Sequence, residues 1–164
     1  MDELTLRKAI ELAVVTEQLG VEYYTRMERK FSDDSQLKEI FGRLVKDEKS
    51  HEAQFKKILE KTEEDDKLQA QYEKYQFLRA TAISTHLRKE DFTEKAEKID
   101  SAADALGHAL AFEKSTLQYY QAMKDILGES SQLQEIIDAE KQHVVALFKV
   151  IISDAKFQGT GYKW

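Results

Sequence analysis

Glu48 and His51 stand three residues apart, and so do Glu140 and His143. On a helix that spacing puts an acid and an imidazole on one face. Both pairs lie on apolar stripes, the first with Phe41, Leu44, Phe55 and Ile58, the second with Ile136, Ile137, Val144 and Leu147. Glu17, among Ala13, Val14, Val21 and Tyr24, and Glu113, among Ala109, Leu110, Leu117 and Tyr120, are acids in the same position. Four carboxylates turned toward one interior repel each other, and must either protonate or meet cations. Two divalent cations would offset the four negative charges, with two neutral imidazoles completing the donor set. The expected metal ligands are therefore Glu17, Glu48, His51, Glu113, Glu140 and His143.

Other residues are expected to support this set. Tyr24 and Tyr120 lie seven residues after Glu17 and Glu113, two turns on and on the same face. Each can donate a hydrogen bond to a ligand carboxylate, and each can also serve as a core aromatic whose hydroxyl needs a partner. Tyr23 and Tyr119 point elsewhere and suit packing between helices or at an interface. Asp47 can orient a ligand imidazole from a neighbouring helix, but its counterpart in the second pair is Ala139, so such support is one-sided. His86 and His108 have Ile83 and Ala105 three positions earlier and belong to no such pair. The first is expected in the packing of a connecting segment, the second on a partly exposed helix flank. Gly20, Gly42 and Gly107 fall inside helical stretches, as close-approach or loosely constrained positions.

The elements that must position these residues are helical, and no convincing two-residue alternation appears. With no Pro and few Gly, long helices are permitted. The periodicity predicts helices over about 3–30, 35–61, 68–90, 100–127 and 131–155. Caps are expected within Ser32–Ser35, at Asp100 or Ser101 and at Ser130 or Ser131, with Gly128 ending the fourth helix. In the third, Tyr72, Tyr75, Leu78, Ala82 and Ile83 are the expected packing positions. The charged run 60–67 reads as a solvated helix end or loop, 89–98 as irregular with at most one helical turn, and 157–164 as a tail whose Phe157, Tyr162 and Trp164 can dock.

Two parts of the map match. EQLGVEYY (17–24) is followed eleven residues on by SQLKEI (35–40) and then by DEKSH (47–51). EKSTLQYY (113–120) is followed at the same offset by SQLQEI (131–136) and then by AEKQH (139–143), with four residues fewer in the last step. Four residues is about one helical turn, so the face is kept. A duplicated helical hairpin builds a four-helix bundle. The expectation is an all-α protein: one antiparallel bundle over 1–156, made of hairpins at about 3–61 and 100–156 with a long crossover containing an extra helix.

The 164 residues carry a formal net charge of −6, which argues against nucleic acid and anionic membranes as partners. No stretch approaches the length of a membrane span, and the amphipathic N-terminus is unlike a secretory signal. A cytoplasmic location is expected. With no Cys, disulfides, thiolate chemistry and Cys-ligated metal are excluded for this sequence.

The set Glu17 with EYY, Glu48-Lys-Ser-His51, Glu113 with QYY and Glu140-Lys-Gln-His143 resembles the ferritin-like di-iron superfamily, most closely its rubrerythrin-like branch. The resemblance covers the four bundle helices. It implies a carboxylate-bridged centre of two iron ions, with manganese or zinc as alternatives, and a homodimer or larger assembly. Rubrerythrins proper usually carry a further carboxylate one turn after the third-helix Glu, where this chain has Thr116, and a Cys-ligated rubredoxin module, for which it has no Cys. The haem-ligating Met of bacterioferritins is Lys49 here, so no haem is expected. The leading expectation is a stand-alone di-iron oxidoreductase reducing peroxide or dioxygen, as in protection from oxidative stress. Electrons would come from an external donor such as a rubredoxin-type protein, and Tyr24 and Tyr120 would tune the metals or supply protons. A ferroxidase that handles iron, and a helical interaction protein with a structural metal, are the alternatives.

Overall fold

The computed structural model describes residues 5–62, 72–128 and 130–157, with the side chains of 72, 83–93, 95 and 154–157 left aside. Five helices occupy them: α1 (Leu6–Lys30), α2 (Ser35–Glu60), α3 (Tyr72–Lys98), α4 (Ala102–Leu127) and α5 (Ser131–Phe157). There is no strand among the described residues. Thr5 caps α1 by accepting from Lys8 N, and residue 3, where the helix is expected to start, lies outside the described residues. Asp34 caps α2, its carboxylate accepting from Gln36 N and Leu37 N. Ser101 Oγ accepts from Asp104 N at the start of α4, and Gly128, at φ 76°, ends it. That φ lies in the left-handed region, which glycine enters without a steric penalty. Ser130 Oγ accepts from Leu133 N at 3.3 Å and begins α5.

The core has two apolar clusters with a polar layer between them. In α1 the chain passes from Leu6, Ile10 and Ala13 in one cluster, through Glu17, to Tyr24 and Met27 in the other. α2 runs the opposite way, from Leu37, Phe41 and Leu44 through Glu48 and His51 to Phe55. α4 follows α2, from Leu106 and Ala109 through Glu113 to Tyr119 and Met123, and α5 follows α1, from Leu133 and Ile136 through Glu140 and His143 to Leu147. The four helices are thus an antiparallel bundle whose polar residues meet at mid-height.

This topology explains the crossover. α2 ends beside one cluster and α4 starts beside the other, so the chain must travel the length of the bundle between them. α3 does so, burying Tyr75, Leu78 and Ala82 at the first end and Ala96 near the second, with Ile99 just beyond it. The side chains of Tyr72, Ile83 and His86 lie outside the described residues.

The expectation of an irregular stretch over 89–98 is incorrect, because α3 continues through it to Lys98. Lys and Glu are good helix formers, Lys98 pairs with Glu94 one turn earlier, and Ala96 (6% exposed) and Ile99 (5%) anchor the end in the core. A high density of charge is compatible with a helix here because Ala96 and Ile99 supply the burial. α5 likewise extends two residues past the expected 155. The run 63–67 and the tail residues 158–164 lie outside the described residues. Lys30 Nζ bonds Ile99 O and, at 3.0 Å, Asp100 Oδ1, tying the end of α1 to the α3–α4 junction. Among the described residues no helix is long and apolar enough to cross a membrane.

Candidate metal centre

The polar layer consists of Glu17, Glu48, His51, Glu113, Glu140 and His143, none more than 3% exposed. They form two overlapping groups of four: Glu17, Glu48, His51 and Glu140, and Glu48, Glu113, Glu140 and His143. Within each group one ligand atom per residue lies within 4.8 Å of all the others. Glu48 and Glu140 belong to both groups. Each hairpin therefore gives three donors to one group and reaches with its Glu-x-x-His glutamate into the other.

Repeat-equivalent contacts come in pairs, as expected of a pseudo-two-fold axis. His51 Nδ1 lies 3.0 Å from Glu140 Oε1 and 3.6 Å from Glu17 Oε2. His143 Nδ1 lies 3.4 Å from Glu48 Oε1 and 3.3 Å from Glu113 Oε2. Tyr24 OH donates to Glu113 Oε1 and Tyr120 OH to Glu17 Oε1. Tyr23 OH donates to Ala105 O at 2.8 Å, and Tyr119 OH to Ala9 O at 2.6 Å. All four tyrosine bonds cross between α1 and α4, so each Tyr serves the opposite hairpin.

Gly20 faces Glu48, where an added Cβ would sit 2.7 Å from Oε2. Gly42 faces Glu28, and Gly107 has open space around it. Asp47 Oδ2 lies 3.3 Å from His143 Nε2 and 3.5 Å from Arg43 Nε, one turn back on α2. Arg43 was not singled out in the sequence, although its four-residue spacing from Asp47 was visible there. Thr116, fully buried, has a hydroxyl without a hydrogen-bond partner among the described residues. His108 is partly buried, its ring centroid 5.1 Å from that of Tyr23.

Burial and mutual repulsion favour the protonated form at Glu48 and Glu113, and the facing carboxylates favour it at His51 and His143. Burial raises the Glu48 carboxyl well above its ordinary value, and the charges of Glu17, Glu140 and Glu113 raise it further. Glu113 is pushed up to about 8 by burial and by Glu140. Burial works against the two imidazolium ions, but the facing carboxylates outweigh it, raising His51 to about 9 and His143 to about 11. Burial also disfavours the charged Glu140, yet its contacts with both histidines hold it below the ordinary carboxylate range. Burial and the adjacent carboxylates keep the Tyr24 and Tyr120 hydroxyls protonated.

Glu17 Oε2, Glu48 Oε1, Glu140 Oε1 and His51 Nδ1 are buried with no hydrogen-bond partner among the described residues. They approach one another without the alignment a hydrogen bond needs. Polar atoms are left this way only where something else completes them. Carboxylate oxygens and imidazole nitrogens are a donor set suited to iron, manganese or zinc, so these residues fit a pair of divalent cations. A family model described as rubrerythrin matches residues 8–103, more than half of the 164 in the chain. The chain belongs to the rubrerythrin family. The rubrerythrin match takes in Glu17, Glu48 and His51 and ends in the first turn of α4, so Glu113, Glu140 and His143 rest on the repeat and on the geometry. No curated protein and no solved structure matches the chain.

Proposed function

We propose that this rubrerythrin-family protein is a di-iron oxidoreductase that reduces peroxide or dioxygen with electrons from an external donor. The observation that carries the reading is the division of six buried donors into two groups sharing Glu48 and Glu140. Glu17 with His51 would hold one iron, Glu113 with His143 the other, and the shared glutamates would bridge them. Two ferrous ions held there would supply the electron pair needed to cleave an O–O bond.

The chain's own residues set the conditions for that chemistry. Tyr24 and Tyr120 fix the terminal carboxylates by donating to them, and keep their hydroxyl protons beside the site. Phe55, 4.7 Å from the Tyr120 ring, and Phe41, stacked on Tyr24, keep bulk water away. Reducing hydrogen peroxide to two waters takes two electrons and two protons. The sequence has no Cys to hold a thiolate-ligated iron, so a separate rubredoxin-type protein is the proposed electron source.

Stopped-flow mixing of the ferrous-loaded chain with peroxide tests this reading. Oxidation of two irons per chain, faster than that of free ferrous iron and with the metal retained, is expected. Oxidation no faster than free iron would refute it. Release of ferric iron after each turnover would favour the iron-handling alternative. Zinc as the metal found after purification without added metal would favour a structural site.

A further inference from the structure

The pseudo-two-fold is inexact at Nδ1, where His143 also lies 3.3 Å from Glu140 on its own helix, and it breaks fully at the far side of the imidazoles. Both rings turn Nδ1 toward the carboxylates, which leaves Nε2 to carry the proton when Nδ1 binds a metal. On His143, Nε2–H donates to Asp47 Oδ2 across from α2 at 3.3 Å, and Arg43 holds that carboxylate from behind. The residue related to Asp47 by the repeat is Ala139, whose methyl group has no acceptor to offer. Among the described residues the polar contacts of His51 lie at Nδ1. The acid next to it in sequence, Glu52, is already engaged, accepting from Gln18 Nε2 at 2.8 Å and pairing with Lys56 at 2.7 Å.

A carboxylate that accepts from the outer N–H of a ligating histidine fixes the ring and makes the inner nitrogen a stronger donor. Removing such a partner typically weakens metal binding by about 10–100-fold. We propose that the two metal positions are unequal: the Glu113–His143 position fills first and binds more tightly, the Glu17–His51 position fills second and empties first, and Asp47 sets the order. This rests on the di-metal reading above. Asp47 is a positioning residue, since it acts on the metal through His143, and its negative charge favours the same position. Glu48 and Glu140 are common to both positions, whereas Asp47 serves His143 alone. One consequence is that metal exchange runs through the Glu17–His51 position while the other ion keeps the bundle together.

Cobalt(II) added to the metal-free chain is the test, with affinities from calorimetry and positions from anomalous scattering of crystals grown at one equivalent. The wild type is expected to bind two cobalt ions about 10–100-fold apart in affinity, the first beside His143. Asp47→Ala should narrow the gap by weakening the tighter step, with the ion at one equivalent spread over both positions. Ala139→Asp, which gives His51 an acceptor, should narrow it by strengthening the weaker step, an effect that a purely structural role for Asp47 does not predict. Equal filling in the wild type, or a gap unchanged in both variants, would overturn the proposal. Failure to bind two ions at all would overturn the di-metal reading with it.

Discussion

At residue 20 a side chain would leave Glu48 no room. The Cβ of an alanine there would lie 2.7 Å from Oε2, 3.1 Å from Cδ and 3.2 Å from Cγ of Glu48, so the whole end of the glutamate must move. It has nowhere equivalent to go, because Glu17, Glu113 and Glu140 occupy the rest of the layer. Glycine inside a helix costs about 1 kcal/mol relative to alanine, and at this position that cost makes space for a carboxylate shared by both groups. Gly20→Ala is expected to leave the metal-free fold within about 1 kcal/mol of wild type. Metal affinity should fall about 10-fold or more, as when a ligand's support is lost. Gly107→Ala is the control: it is exposed, with nothing within 4 Å of an added Cβ, and should gain helix stability with metal binding unchanged. Chemical denaturation of the metal-free proteins and calorimetric metal titration read the two effects separately. Wild-type affinity in Gly20→Ala would show that Glu48 has slack the structure does not reveal.

At the scale of the element, helix boundaries and the site separate cleanly. Asp34 Oδ1 accepts from Gln36 N at 2.9 Å and Leu37 N at 3.0 Å, more than three turns before Glu48. Asp34→Ala should cost about 1 kcal/mol in urea denaturation and leave the number of bound metals unchanged; a lost metal would mean that the start of α2 positions the site after all. Such caps were legible in the sequence, as were the helical faces, because a short polar residue before an apolar period has one economical use. The donor residues were legible because the hairpin is written twice and a buried acid needs a reason. The length of α3 was not, since Ala96 and Ile99 carry its burial while the residues around them are charged. Nor was the crossing of the tyrosines: periodicity puts Tyr24 and Tyr120 on the face of Glu17 and Glu113 without saying that each donates to the other's glutamate. That depends on how α1 meets α4, which is a tertiary fact.

At the scale of the whole molecule, one layer of charge joins the two hairpins, and what neutralises it decides how stability responds to pH. Without metal the layer is held by protons. Glu113 keeps its proton to about 8 and His51 to about 9, against ordinary values of about 4.3 and about 6.5 in an unfolded chain. Between those limits the folded chain binds more protons than the unfolded one, so stability falls as pH rises. The contribution from Glu113 is complete below about pH 4.3 and that from His51 below about pH 6.5. The first is lost as pH passes about 8 and the second as it passes about 9. Glu140 has the opposite sign, being held low: its contribution is present above the ordinary carboxylate value and is lost only in acid. The melting temperature of the metal-free chain is therefore expected to decline from pH 6 to pH 9. Divalent ions bound at the proposed centre would replace these protons, and a metal present at about 100 times its dissociation constant would add about 2.7 kcal/mol. Since each proton that leaves makes binding tighter, the gap in melting temperature between loaded and metal-free chains should widen over the same interval. Thermal melts with chelator and with excess manganese(II) at pH 6, 7.5 and 9 measure both trends. A metal-free melting temperature that rises over that interval would mean that the buried layer does not hold its protons as its geometry requires.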